Sequence, residues 1–198
     1  MVRFIFTLII NCLLSYFVYQ TKFYTFLFEE YIWIGIILLG ILIFISNLIE
    51  DTTLYQQQWQ PISYLITAMN VSFIFFIVVL KLTIIINFNK PSLLKVFYDG
   101  DFNGTAIDFK VDKTYILDNA AIGISNYFYG TYHIQGHKIT MDKDTIDNLD
   151  NLKHLELREI ENDNGIKKWY LMQVDNNGII NEESDNSFRV IINNRNKQ

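Results

Sequence analysis

The chain offers few side chains whose type and spacing could do covalent chemistry. His133 and His137 stand four apart, the separation that on a helix turns two imidazoles toward one metal ion. They flank Gly136 in a stretch that alternates like a strand, where a turn is expected to set His133 opposite Lys138. No cysteine or carboxylate follows at ligand spacing, so no metal site is expected. Asp142, Asp144, Asp147 and Asp150 resemble the start of a calcium loop, but Ile146 takes a ligand position and Asp147 stands where the turn needs glycine. They are expected to form a solvated acidic loop. There is no G-x-S-x-G elbow, no glycine-rich phosphate loop ahead of a helix, and no cysteine–histidine pairing, the lone Cys12 lying in an apolar run. The expectation is a protein that is not an enzyme and uses no cofactor.

What remains is recognition. Tyr127, Tyr129, Tyr132, Trp169, Tyr170 and Phe188 supply aromatic faces, and Arg158, Lys168 and Arg189 supply cations that match phosphate. Gathered at the mouth of a small barrel, Tyr127, Tyr132, Arg158, Lys168, Tyr170 and Arg189 would hold a small anionic ligand. They would serve equally as ordinary core and rim, because a barrel of that size is mostly filled by its own side chains. Charge narrows the partner. From Met1 to Lys90, Arg3, Lys22, Lys81 and Lys90 cancel Glu29, Glu30, Glu50 and Asp51, so the whole net charge of −5 falls on 91–198. An acidic domain disfavours polymeric nucleic acid while leaving room for a local basic pocket.

These side chains need elements to carry them, and the composition changes near Lys90. Tyr31 to Ile49, YIWIGIILLGILIFISNLI, is an uncharged apolar run. At ~1.5 Å per residue it is long enough to cross a hydrocarbon core of ~30 Å as one helix. Val2 to Tyr19 reads as a signal peptide or a first spanning helix; Tyr16, Phe17, Tyr19 and Gln20 stand where cleavage would need small residues, which favours the helix. Thr21 to Glu30 is an aromatic connector suited to the headgroup level, and Glu50 to Gln60 reads as a polar loop with Tyr55 and Trp59 as anchors. Pro61, at a favoured helix start, opens a third apolar run over Ile62 to Ile86, in which Lys81 can snorkel to water. The expected transmembrane region is 1–90, with helices at about 2–19, 31–49 and 62–86. Within it Asn11, Asn47 and Asn70 would face other helices, either within the bundle or in a second copy.

From Pro91 onward the apolar period becomes two: Ile107, Phe109 and Val111 alternate with Asp108 and Lys110, Leu155 and Leu157 with Glu156 and Arg158, and Phe188, Val190 and Ile192 with Arg189. Turns are expected at Gln135-Gly136, at Asn162-Asp163-Asn164-Gly165 and at Asp175-Asn176-Asn177-Gly178. The fold class that follows is α + β: apolar N-terminal helices, then over 91–198 a small antiparallel up-and-down barrel or closed sandwich of about seven or eight strands.

Two resemblances add to this reading. Gly130 to Asp142, GTYHIQGHKITMD, resembles the G-x-Y-x-I-x-G-x-x-I hairpin of small lipocalin-like bacterial barrels. The whole plan, transmembrane helices followed by a compact cytosolic barrel, resembles the membrane effectors of cyclic-oligonucleotide antiphage defence (CBASS). That resemblance implies a barrel that binds a cyclic nucleotide and helices that assemble into a homo-oligomer to disrupt the bilayer of the inner membrane. The alternative is a membrane-bound immunity or inhibitor protein whose acidic domain masks a protein partner.

Orientation yields a first prediction. Arg3 lies on one side of the expected spans and Lys22, Lys81, Lys90 and Lys95 on the other, so the C-terminal domain belongs in the cytoplasm. A reporter fused after Gln198 is expected to read as cytoplasmic; a periplasmic readout would reverse the topology and remove a cytosolic nucleotide as ligand.

Overall fold

A computed structural model describes residues 2–100, 103–147, 149–161, 165–180 and 187–195. The chain divides into two compact units, Met1–Asn87 and Phe88–Gln198. The first contains α1 (Val2–Gln20), a three-residue extended piece β1 (Tyr24–Phe26), α2 (Glu29–Gln58), a 3₁₀ turn over Pro61–Tyr64, and the start of α3 (Leu65–Phe88). Each of the three helices is long and apolar enough to cross a membrane.

The second helix does not stop at Ile49. It continues through EDTTLYQQQ to Gln58, so the expected polar loop is helical. The segment holds no glycine or proline, and the hydroxyls of Thr52 and Thr53 turn back onto the carbonyls of Leu48 and Ile49 at 2.7 and 2.9 Å, satisfying themselves inside the helix. Trp59 ends it in the left-handed region at φ 54, its amide donating to the Tyr55 carbonyl at 2.7 Å.

The second unit is a closed antiparallel eight-strand barrel, as the alternation and turns lead one to expect. Its strands are β2 (Ser92–Asp99), β3 (Gly104–Lys110), β4 (Thr114–Ala121), β5 (Ile124–Gln135), β6 (Lys138–Met141), β7 (His154–Glu161), β8 (Lys167–Gln173) and β9 (Phe188–Asn193). Each pairs with the next in sequence and β9 returns to β2, an up-and-down circuit. Closure leaves no strand edge open to other chains.

Alternation decides what fills it. Leu94, Val96, Ile107, Phe109, Leu117, Leu155, Leu171 and Phe188 point inward and are buried together with Tyr115. The Phe109 and Tyr132 rings meet edge to face at 4.9 Å. The β5–β6 hairpin is tighter than expected: Gln135 pairs with Lys138 and His133 with Thr140, so His133 does not face Lys138. Gly136, at φ +63, permits a two-residue turn with His137 that shifts the register. Of the other expected turns, Asp175 accepts amides from Asn177 and Ile179, both at 2.8 Å, ahead of Gly178 at φ +84, while Asn162, Asp163 and Asn164 lie outside the described residues.

Gly130 marks the tightest point of the wall. It pairs with Tyr115 across β4–β5, and a Cβ there would stand 2.5 Å from the Tyr115 ring and hydroxyl and in contact with the Asp142 carboxylate. Gly130→Ala is therefore expected to destabilise the isolated fragment 88–198 by about 1–3 kcal/mol in urea unfolding, the usual cost of forcing extra volume into a packed core. An unchanged midpoint would show that this wall yields.

Candidate functional site

In the helices the buried residues are Thr7, Asn11, Leu14, Val18, Asn47, Asp51, Thr67 and Asn70, so all but Leu14 and Val18 are polar. Outward, by contrast, stand Phe6, Ile34, Leu38, Leu42, Phe75, Val78 and Leu82. The spacing explains the inward stripe: Arg3, Thr7 and Asn11 fall one turn apart on α1, as do Asn47 and Asp51 on α2 and Thr67 and Asn70 on α3.

The stripes meet. Arg3 pairs with Asp51 and, at 2.6 Å, with Glu50. The fully buried Asp51 accepts the backbone amide and hydroxyl of Thr67 at 2.9 and 2.8 Å, so one carboxylate ties all three helices together. Asn47 donates to the Thr7 hydroxyl at 3.4 Å. Asn11 Nδ2 and both amide atoms of Asn70 are buried with no hydrogen-bond partner among the described residues. In the sequence Asp51 falls in an expected polar loop, which hides its contact with Arg3 and Thr67; the four-residue step from Asn47 to Asp51 is the signal for an inward helical position. At the opposite helix ends, Lys81 Nζ lies 4.2 Å above the Trp33 ring and 3.4 Å from both Glu29 and Thr21.

On the barrel, the six residues proposed for ligand binding do not share a mouth. Tyr132 is core, its hydroxyl donating to the Lys110 carbonyl at 2.7 Å, and burial pushes its phenol up to about 12. The other five follow the opposite strand parity and face outward. Register places Arg158, Tyr170 and Arg189 side by side across β7, β8 and β9. Lys168, two residues before Tyr170, shares its face and is exposed. At ~4.8 Å between strands, these three positions span ~10 Å of outer wall. Arg158 is already engaged, with Glu156 at 2.6 Å and the Gly178 carbonyl at 2.7 Å; Arg189 is exposed. Such a row can take an anion with a ring to stack on.

Tyr127 belongs elsewhere. It lies on β5, its ring edge-on to Phe88 at 5.4 Å, and is paired with Asp118, whose carboxyl is raised by burial. Trp169 turns inward, half-buried against the core, and stacks on His137 at 5.5 Å, while Phe188 is wholly core.

The acidic stretch is, as expected, a loop between β6 and β7 whose Asp142, Asp144, Asp147 and Asp150 are exposed, although it also anchors itself to the barrel. Ile146 and Leu152 are buried in the core, Asp142 accepts the Tyr115 hydroxyl at 3.0 Å, and Asp147 accepts the Asn119 amide at 2.8 Å. Ile146 and Leu152 thus tie the loop to the core, while Asp142 and Asp147 satisfy donors on β4. Among the described residues no group of three or more His, Cys, Asp and Glu could hold a metal ion.

At the head of the second unit, the buried Lys110 donates to the carbonyls of Phe88 and Lys90 at 2.9 and 3.1 Å and to Asp108 at 2.7 Å. Lys90 in turn pairs with Asp112 at 2.8 Å. No protein-family model, curated protein or solved structure matches the chain.

The Lys90 ammonium, with the Thr114 hydroxyl, holds the Asp112 carboxyl down at about 2 from 3.8. A carboxylate depressed in the folded state contributes stability above its unfolded value and loses it as pH falls through the folded one. The contribution is thus expected in full above about pH 4 and to fade toward pH 2. Urea midpoints of the fragment 88–198 across that window should fall more steeply than those of Asp112→Asn; parallel curves would show that the pair contributes nothing.

Proposed function

We propose that this protein is a membrane-anchored effector. Its three helices cross the inner membrane, its barrel lies in the cytoplasm, and a small anionic ligand of the cyclic-nucleotide class on the barrel drives the helices of several copies together, disrupting the bilayer in antiphage defence. The observation that carries the membrane part is the inverted burial of the helices. A water-soluble bundle hides its apolar side chains, whereas here polar groups are inside and large apolar ones outside, the arrangement that hydrocarbon favours. The second helix, at ~1.5 Å per residue, is also longer than the ~30 Å core, so in this reading its polar last turns extend beyond the hydrocarbon.

The ligand part rests on the row Arg158, Tyr170, Arg189 with Lys168 and on the CBASS resemblance. Because the barrel interior is filled by its own core, the ligand docks on the outer wall. That same filled interior favours one other reading, an immunity or inhibitor protein that uses its acidic wall to bind a protein partner and needs no small ligand.

Calorimetry of the fragment 88–198 against a panel of cyclic di- and trinucleotides separates the two. Binding is expected, and Arg189→Ala is expected to weaken it at least ~tenfold, since a charge-assisted hydrogen bond contributes ~1.5–3 kcal/mol. Arg158→Ala should cost less, because Arg158 leaves Glu156 to reach a ligand. No heat at high micromolar nucleotide would promote the protein-partner reading.

A further inference from the structure

Where α1 ends and α2 begins, the first unit encloses a hollow of about 110 Å³ that none of the preceding roles uses. Its wall is built mainly from Tyr16, Phe17, Tyr24, Phe26, Trp33 and Ile36. Tyr16, Phe17, Tyr24 and Phe26 are themselves exposed, so the hollow opens sideways through an aromatic surface. Most of its lining is apolar, with Gln20, Thr21 and Glu29 as the polar members. At ~30 Å³ for a water-sized group, there is room for a short run of methylenes.

One side of the hollow is polar and fixes its depth. Glu29, in the wall, accepts the Trp33 indole N–H at 3.0 Å and pairs with Lys81 at 3.4 Å, and Lys81 also reaches the Thr21 hydroxyl. Aromatic rings beside a clasped lysine are the side chains that settle where hydrocarbon meets headgroups.

We propose that this hollow is a binding site for one acyl chain of a bilayer phospholipid, entering from the side with its headgroup at the level of Lys81. The proposal rests on the reading that the helices span a membrane. A free fatty acid fits less well, because its carboxylate would meet Glu29, the charged side chain of the wall. A phospholipid keeps its charge at the headgroup and presents only methylenes to the rings.

The test uses the full chain with Trp59→Phe and Trp169→Phe, leaving Trp33 as the sole indole, in phosphatidylcholine vesicles with and without acyl-chain bromination. Trp33 fluorescence is expected to be quenched by the brominated lipid. Ile36→Phe, which fills the hollow, should at least halve that quenching, whereas Tyr24→Ala, which widens it, should not lower it. Brominated free fatty acid added to plain vesicles should quench less than the phospholipid. Flotation with the vesicles is scored first: a chain that stays with the aqueous fraction overturns the membrane reading and the site with it. A chain that floats but shows no quenching, or equal quenching in Ile36→Phe, overturns the site alone, and stronger quenching by the fatty acid overturns the choice of ligand.

Discussion

Every backbone amide and carbonyl taken out of water must find a partner within the chain, and both units of this protein are solutions to that constraint. Helices satisfy it segment by segment, which lets α1, α2 and α3 present bare apolar side chains outward. The barrel satisfies it by circuit: each strand completes its neighbour and β9 completes β2, so no ladder is left open. Where the circuit turns, the chain uses Gly136 and Gly178 in the left-handed region. Where the inward wall is most crowded it uses Gly130, because Tyr115 and Asp142 already occupy the space a side chain would need.

Both units bury polar side chains, and neither satisfies every one of them. In the barrel several buried polar groups are matched, the Tyr115 hydroxyl by Asp142, the Tyr132 hydroxyl by a carbonyl and the Lys110 ammonium by three acceptors, while Asp108 Oδ1, Asp118 Oδ1 and Gln173 Oε1 have no hydrogen-bond partner among the described residues. Removing the Lys110 ammonium would leave the Asp108 carboxylate without its partner charge, which is where such a contact makes itself felt. In the helices the match is incomplete. Asp51 draws in Arg3 and Thr67, yet one turn along α3 the amide of Asn70 is buried with neither atom bonded.

How much of this could be read in advance follows from which signals are periodic. The apolar runs and the period-two strands repeat over many residues, so the helices, the strand count and the up-and-down circuit were legible. Single positions whose meaning depends on a partner far along the chain were not. Asp51 looked like a loop residue because its neighbours are polar; what makes it interior is Arg3, 48 residues away, and Thr67. The acids at 142–150 are exposed, as expected, but that two of them also accept from Tyr115 and Asn119 was not legible, because those donors lie on another strand. Tyr132 and Tyr170 look alike in the sequence, and only strand parity makes one core and the other outer wall. The row Arg158, Tyr170, Arg189 needed the register of two strand pairs, which no local pattern supplies.

The unbonded Asn70 bears on how small a signal could reorganise the helices. Moving a two-state equilibrium from one part in a hundred to nearly complete takes a differential affinity of ~5.5 kcal/mol. If assembly gives the buried amides of Asn11 and Asn70 partners across helices, each new bond contributes ~0.6–2 kcal/mol toward the assembled state. The resting helices then start closer to balance than a fully satisfied bundle would. The three-way contact of Arg3, Asp51 and Thr67 works in the other direction, since separating a buried ion pair leaves an uncompensated charge and costs ~3–5 kcal/mol. A ligand on the barrel can shift this balance only by the difference in its affinity for the two states. If the helices assemble as proposed, the Arg3–Asp51–Thr67 contact opposes any change that separates it and the unsatisfied amides favour one that pairs them, so the coupling required of a ligand is the difference between the two.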